Sequence, residues 1–199
     1  MTSSAAPAGP QRQTLIADTA VALIAERGLR GLTHRAVDEA AGLPTGSTSN
    51  LARTRAALLE LAITRIAELE SPAYAMELRP PTVEHARELL AQLAADAVHQ
   101  ALTVGRALTV ARFELALEAT RRPELRVVYN RLGAGLLGLA VTLLTECGSR
   151  APEADARRLV RWADGVLFNV TAGSGAGHVP DPAELGAEVA RYLAALLDG

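Results

Sequence analysis

Apolar residues recur at spacings of three and four along most of this 199-residue chain, which is the periodicity of amphipathic α-helices. Within residues 11–27, for example, Ile16, Ala20 and Leu23 fall on one face, and Gly28 follows as a stop signal. No segment alternates between polar and apolar residues as a half-buried strand does. Aromatic residues make up only 3% of the chain, and Ala, Leu and Val supply most of its 49% apolar share, which favours helices. We therefore predict an all-α fold.

Glycine, proline and capping residues divide the periodic pattern into about nine helices. The predicted helices cover residues 11–27, 33–41, 44–52, 54–70, 82–102, 104–120, 123–146, 152–172 and 182–197. The first three are short, and they form a predicted domain at 11–55, connected by the helix 54–70 to a larger helical domain at 71–199. Residues 1–10 are small and polar, without the basic and apolar regions of a secretory signal, and we expect a disordered leader there.

Composition excludes several classes of protein. The chain carries 20 basic and 22 acidic residues, a formal net charge of −2, and one cysteine. Cys147 cannot form an internal disulfide, and we interpret it as a small buried residue in a reducing cytoplasm. No zinc motif, catalytic triad or phosphate-binding loop is recognisable, so we expect no metal, no cofactor and no enzyme. The apolar stretch Leu132 to Leu144 is too short to span a bilayer and is interpreted as a core or interface helix.

The segment Leu32 to Ala52 has the pattern of a helix-turn-helix. Thr33 is a good N-cap for a short helix, Gly42 ends that helix, and a second helix with small polar side chains follows. The polar residues of this second helix are Thr45, Ser47, Thr48, Ser49 and Asn50. Such side chains suit base edges and phosphates better than an apolar core, although a solvated surface turn would have the same composition.

The charges near this segment are basic. Between Ala40 and Leu59 the only charged residues are Arg53 and Arg55, and Arg35 precedes them on the first helix of the pair. These arginines could bind DNA phosphates, which would make the affinity depend on salt concentration. Ordinary exposed arginines are the alternative interpretation.

A resemblance to a known family rests on the order of residues between Leu15 and Leu59. The matching stretches are Ile16-Ala17-Asp18-Thr19-Ala20, Ile24-Ala25-Glu26-Arg27-Gly28, Gly31-Leu32-Thr33, Val37, Ala40-Ala41-Gly42-Leu43 and Gly46-Ser47-Thr48. This order resembles the TetR family of bacterial transcriptional regulators. The resemblance implies a homodimer whose N-terminal domain binds double-stranded DNA, and whose C-terminal domain binds a small-molecule effector that releases the DNA.

The resemblance also implies roles for individual residues. The recognition helix would carry Thr45, Gly46, Ser47, Thr48 and Asn50, with Thr33 and Arg35 near phosphates at the start of the preceding helix. Arg55 stands where the family usually has a phosphate-contacting lysine, and it keeps the charge. Leu51-Ala52 departs from the family, which usually has an aromatic residue in place of Ala52 to pack behind the recognition helix. Either another side chain fills that volume or the helix is less firmly held.

The C-terminal half offers candidates for an effector pocket and a dimer interface. Polar and aromatic residues in apolar surroundings suggest a pocket formed by His99, Arg112, Phe113, Tyr129, Trp162 and Asn169. Hydrogen-bonded polar groups of an ordinary core would have the same pattern. The last two helices suggest a four-helix dimer interface formed by Leu159, Val166, Val170, Leu185, Val189, Leu193 and Leu196. The same two helices could instead close a monomeric core.

These observations together predict a cytoplasmic TetR-type regulator, a ligand-responsive repressor that binds an inverted-repeat operator as a dimer, without membrane association. The alternative is a helical small-molecule receptor or carrier in which the helix-turn-helix is degenerate. The missing ring at Ala52 is the best support for that alternative.

Overall fold

A computed structural model describes residues 9–70 and 82–198, and within these residues the chain is all-α, as predicted. Nine helices occur in the described part of the chain: α1 Gly9–Gly31, α2 His34–Ala40, α3 Ser47–Leu51, α4 Arg55–Glu70, α5 Val83–Leu102, α6 Arg106–Ala119, α7 Pro123–Glu146, α8 Pro152–Ala172 and α9 Pro182–Leu197. The predicted leader at residues 1–10 lies almost wholly outside the described residues.

The predicted caps explain where several helices begin. The Thr33 hydroxyl accepts a hydrogen bond from Ala36 N, and Thr54 accepts one from Ala57 N at 3.1 Å, so both satisfy backbone donors that the first helical turn leaves free. Two boundaries differ from the prediction. α1 continues to Gly31 through a break at Gly28, and α3 begins only at Ser47, because the residues before it form a turn.

The first compact unit combines α1–α4 with Val110–Asn130. α1 packs against α4 and α2, and α2 packs against α3. The core side chains come from the apolar stripes of α1 and α4, and the fully buried ones include Ile16, Ile24, Leu58, Leu59 and Ile63. α1 and α4 therefore form the hydrophobic core of this unit, and α2 adds the buried Val37. The functional boundary predicted at residue 71 stays a prediction.

The second compact unit contains α5, the C-terminal part of α7, α8 and α9. α5 packs against both α8 and α9. Its main core cluster consists of Ala86, Leu90, Ala91, Ala140, Leu144, Cys147, Ala156, Leu159, Val189 and Leu193. Cys147 is fully buried, as the sequence predicted, and burial raises the pKa of its thiol to about 11. The helices of this unit thus close a core within a single protomer.

That core corrects the predicted dimer interface. Five of the seven proposed interface residues are buried inside their own protomer: Leu159, Val170, Leu185, Val189 and Leu193. Val166 and Leu196 are partly buried. The apolar stripes of α8 and α9 were correctly recognised, but they face the protomer's own core, which is the alternative that the sequence left open.

α7 was predicted to be a core or an interface helix, and its exposure in the protomer argues against the core interpretation only. Among the described residues it is the one helix whose length and composition would suffice to cross a membrane, and only 12% of that apolar window is buried. Its C-terminal part reaches the core through Ala140 and Leu144, whereas Gly133 and Gly135 are exposed in the protomer.

Candidate nucleic-acid interface

α2 and α3 form a helix-turn-helix within the first unit. The chain leaves α2 at Ala40 and enters α3 at Ser47, and α3 packs against α2. Gly46, the N-cap of α3, has φ 94°, a left-handed conformation that glycine adopts without the strain of a side chain. Its backbone N–H thereby points toward α2, where it finds an acceptor.

That acceptor is Asp38, a buried carboxylate on α2 with 4% exposure. Its Oδ2 accepts a hydrogen bond from Gly46 N at 2.7 Å, and its Oδ1 accepts bonds from Thr48 N at 2.7 Å and Thr48 Oγ1 at 2.6 Å. Burial raises the pKa of Asp38, but the hydrogen bonds from Thr48 and Gly46 and the field of His34 outweigh burial and lower the pKa overall. The ionised carboxylate therefore holds the first turn of α3 against α2. We call this set of contacts the Asp38 clasp.

Two further contacts hold α3 at its ends. The Arg12 guanidinium of α1 donates to Ser47 Oγ, and Ser47 Oγ in turn donates to the carbonyl of Pro44. At the other end, the His34 ring nitrogen Nε2 lies 2.6 Å from the carbonyl oxygen of Ala52, as a donor to it. α3 is thus tied to α1 and α2 through polar contacts at both ends.

These contacts bear on the missing ring at Ala52. Ala52 is buried, and Leu51 is 43% exposed, so Leu51 has not moved into the volume of the absent ring. The His34 contact and the Asp38 clasp instead fix α3 by directional hydrogen bonds. The structure therefore does not support the interpretation that α3 is loosely held.

The predicted DNA-binding residues fall into two groups. Five are exposed: Thr33, Arg35, Thr45, Asn50 and Arg53. Four make hydrogen bonds inside the protomer: Gly46, Ser47, Thr48 and Arg55. Ser47 and Thr48 are buried, which corrects the expectation that their side chains face outward, whereas the DNA contact of the half-buried Gly46 and Arg55 stays a prediction.

Ser47 and Thr48 are buried because they surround the polar contacts just described. We had expected both side chains to face outward, since small polar groups do not pack in an apolar core. Asp38 and Arg12 were not predicted as part of the site, and His34 was expected only as a neighbour of the polar helix. The sequence did contain a signal for Asp38. This carboxylate stands next to the core residue Val37, and the position four residues later, where a basic partner could stand, is Gly42.

Arg55 stabilises the end of α1. Its Nη1 donates to the carbonyl of Leu32 at 2.7 Å and its Nη2 to that of Leu29 at 2.6 Å. These carbonyls lie where α1 ends. That of Leu29 also accepts a bond from Leu32 N at 3.3 Å, and the guanidinium adds a partner to each. The hydrogen-bonding capacity of both terminal nitrogens is therefore partly used within the protomer.

The predicted effector residues have separate partners. In the second unit, His99 Nδ1 lies 3.0 Å from the carbonyl oxygen of Pro180, Trp162 donates to Glu188 at 3.1 Å, and Asn169 is exposed. In the first unit, the Arg112 guanidinium lies 5.6 Å from the ring centre of Phe113, and that of Arg126 lies 5.7 Å from the ring centre of Tyr129. The described contacts do not gather these residues into one cavity. Among the described residues, no cluster of His, Cys, Asp and Glu could hold a metal ion.

An N-terminal unit that contains a helix-turn-helix, followed by a second helical unit, defines a class of transcriptional regulators. A family model described as tetracyclin repressor-like, C-terminal domain, matches residues 85–199, more than half of the chain. The chain therefore belongs to the TetR family, and the predicted membership is confirmed. A search of curated proteins found no significant match.

Solved structures agree with this assignment. The chain is 26% identical to a member of the TetR family from Streptomyces coelicolor A3, with a TM-score of 0.71, covering 92% of this chain and 98% of the other. It is 26% identical to the multidrug binding protein EbrR complexed with proflavin, with a TM-score of 0.63, covering 90% and 98%. A transcriptional regulator from Rhodococcus sp. Rha1 shares the fold at 20% identity, with a TM-score of 0.75, covering 96% and 97%.

Proposed function

We propose that this protein is a ligand-responsive repressor that binds an inverted-repeat operator as a homodimer in the cytoplasm. The Asp38 clasp is the observation that carries the proposal. It orders the first turn of α3 against α2, and it leaves Thr45 and Asn50 exposed on the segment that would enter the major groove. A helix-turn-helix held in this way retains the rigidity that groove binding requires.

The exposed residues have distinct proposed roles. Thr45 and Asn50 carry small hydrogen-bonding side chains, so we assign them to base edges. Thr33, Arg35 and Arg53 lie at helix ends, and we assign them to phosphates. Arg55 would act on DNA indirectly, by holding the end of α1 through Leu29 and Leu32.

The experiment is selection of duplexes from a random pool by the purified protein, followed by affinity measurements on the enriched site. We expect a palindrome whose half-site centres lie about one helical turn apart. Asn50→Ala should change the preferred bases, whereas Arg53→Gln should weaken binding to all DNA sequences to a similar degree. Glu60→Gln, an exposed change on α4, is the matched control. Failure of a folded dimer to enrich any sequence would refute the proposal and favour a helical receptor or carrier.

We propose that dimerisation uses surfaces other than the buried residues of the α8 and α9 stripes. The opposite side of α9 exposes small residues at helical spacing, namely Ala183, Ala187, Ala190 and Ala194. Small side chains allow a second helix to approach closely, so we propose that this alanine face packs against its copy in the partner.

The alanine face can be tested by light scattering coupled to size-exclusion chromatography. Ala190→Glu should shift a dimer toward monomer, because it would place two carboxylates in the symmetric contact. Ala97→Glu, on an exposed position of α5, is the control and should leave the dimer intact. A dimer that persists in Ala190→Glu would place the interface elsewhere.

The effector is proposed to be a small organic molecule bound in the C-terminal domain, and its binding would favour a dimer geometry that no longer fits successive grooves. The solved complex of EbrR with proflavin supports a small-molecule ligand for a relative of this chain. TetR-family regulators act by binding, and we assign no enzymatic reaction or cofactor. We expect that a compound from a small-molecule library releases the selected duplex while the protein remains a dimer.

A further inference from the structure

A cavity of about 520 Å³ in the first unit is lined mainly by arginine side chains. It lies where the end of α1, the start of α4 and the turn between α6 and α7 meet. The arginines that line it are Arg27, Arg30, Arg55, Arg121 and Arg122. One quarter of the 20 basic residues of a chain with net charge −2 therefore line one cavity.

The carboxylates in the cavity do not neutralise this charge. Glu118 and Glu114 are the two acidic lining residues, against five guanidinium groups. Glu118 is already shared by Arg122 at 2.6 Å and Arg121 at 3.1 Å. Arg55 donates to backbone carbonyls, which carry no net charge, and Arg30 is exposed. The cavity thus keeps a surplus of positive charge.

The cavity shares one residue, Arg55, with the candidate nucleic-acid interface. Arg55 begins α4, directly after the segment that contains Arg53. Its partner Leu32 immediately precedes Thr33, the cap of α2. Arg55 therefore connects the cavity to the segment that carries the proposed phosphate contacts Thr33 and Arg53.

We propose that this cavity binds clustered phosphate groups. Arg30 and Arg121 would bind through exposed guanidinium groups, which match phosphate oxygens in pairs. Two sources share this chemistry: the DNA backbone flanking the operator, and a free polyphosphate anion. The first source rests on the proposed function, and the second does not.

The DNA arm of the test uses the double variant Arg30→Gln/Arg121→Gln. Arg122 keeps its ion pair with Glu118 in this variant, so the fold should persist. The control, Arg150→Gln/Arg157→Gln, removes the same charge from exposed positions of the second unit. On a selected duplex with long flanks, loss of two phosphate contacts in each protomer of the dimer, four in all, should reduce the slope of log affinity against log salt by about 3.6, and the control should not. Trimming the flanks of the duplex should abolish the difference in salt slope between the variant and the wild type.

The second arm measures binding of sodium tripolyphosphate by calorimetry, without DNA. Saturable binding that disappears in Arg30→Gln/Arg121→Gln, and persists in the control, would identify a free anion as the source. A reduced salt slope without tripolyphosphate binding would identify the DNA backbone. No change in either arm would overturn the inference. If no duplex is enriched, the proposed function fails while the tripolyphosphate arm still decides whether the cavity binds phosphate.

Discussion

The Asp38 clasp gives the sharpest test of how α3 is held. Asp38→Asn keeps the size of the side chain and one acceptor oxygen for Thr48, but it turns an N–H₂ group toward the N–H of Gly46. A buried donor left without an acceptor costs about 1–3 kcal/mol, and loss of charge weakens the two Thr48 bonds by a further 1 kcal/mol or so. Relief of the buried charge offsets part of this cost. We expect a net destabilisation of about 2 kcal/mol.

The effect should depend on pH in a defined direction. The pKa of Asp38 is lowered from its ordinary value of 3.8, so its contribution to stability is complete above that value and is lost as the pH falls through the lower pKa of the folded state. Urea unfolding at pH 7 should therefore show the full difference between wild type and Asp38→Asn. The difference should shrink in acid below pH 3.8.

Amide hydrogen exchange tests the local part of the argument. A loss of about 2 kcal/mol corresponds to exchange roughly thirty times faster at Thr48 N, if opening of the clasp limits exchange there. Glu39→Gln is the matched control, since it removes one carboxylate from an exposed neighbour on α2 and should change stability by less than about 0.5 kcal/mol. Equal exchange at Thr48 N in wild type and Asp38→Asn would refute the reasoning.

Three other perturbations test local features of the fold. Gly28 has φ 65° and ψ −179°, a region nearly restricted to glycine, so Gly28→Ala should lower the free energy of unfolding by about 1–3 kcal/mol in urea, and an unchanged value would contradict the strain. Thr33→Ala should lower the free energy of unfolding by about 1 kcal/mol through loss of the α2 cap, whereas Thr33→Ser should retain most of that stability. Because burial raises the pKa of Cys147 to about 11, a thiol reagent at pH 8 should label it only after unfolding, and stability should fall as the pH rises above 9.0. Rapid labelling of the folded protein would contradict its burial.

The helices were predictable because the signals that define them are local. Spacings of three and four, cap residues such as Thr33 and Thr54, and prolines at Pro152 and Pro182 act within one or two turns of the chain. The stripes of α8 and α9 show the limit of such signals. Periodicity shows that one face of a helix is buried, but it does not identify the partner that covers the face. Leu185 and Val189 could therefore be assigned to an interface when they belong to the protomer core.

The candidate site was harder to predict because its key contacts join residues that no periodic pattern connects. Ser47 and Thr48 were placed on the outside by the rule that small polar residues avoid an apolar core. That rule fails where a buried carboxylate supplies acceptors, and Asp38 lies 10 residues before Thr48. Arg12, 35 residues before Ser47, is further still from any local pattern. Only the three-dimensional arrangement brings these groups together.

The departure at Ala52 and the presence of Asp38 have a common physical meaning. An aromatic ring behind α3 would hold the helix by filling volume, an interaction with little directional preference. The bonds from Asp38 and His34 hold it by direction, since each requires a particular donor at a particular angle. Directional contacts fix the rotation of α3 about its own axis, and that rotation determines whether Asn50 faces a base edge. A helix that lacks the ring can therefore still present Asn50 in one orientation, provided the carboxylate of Asp38 remains ionised.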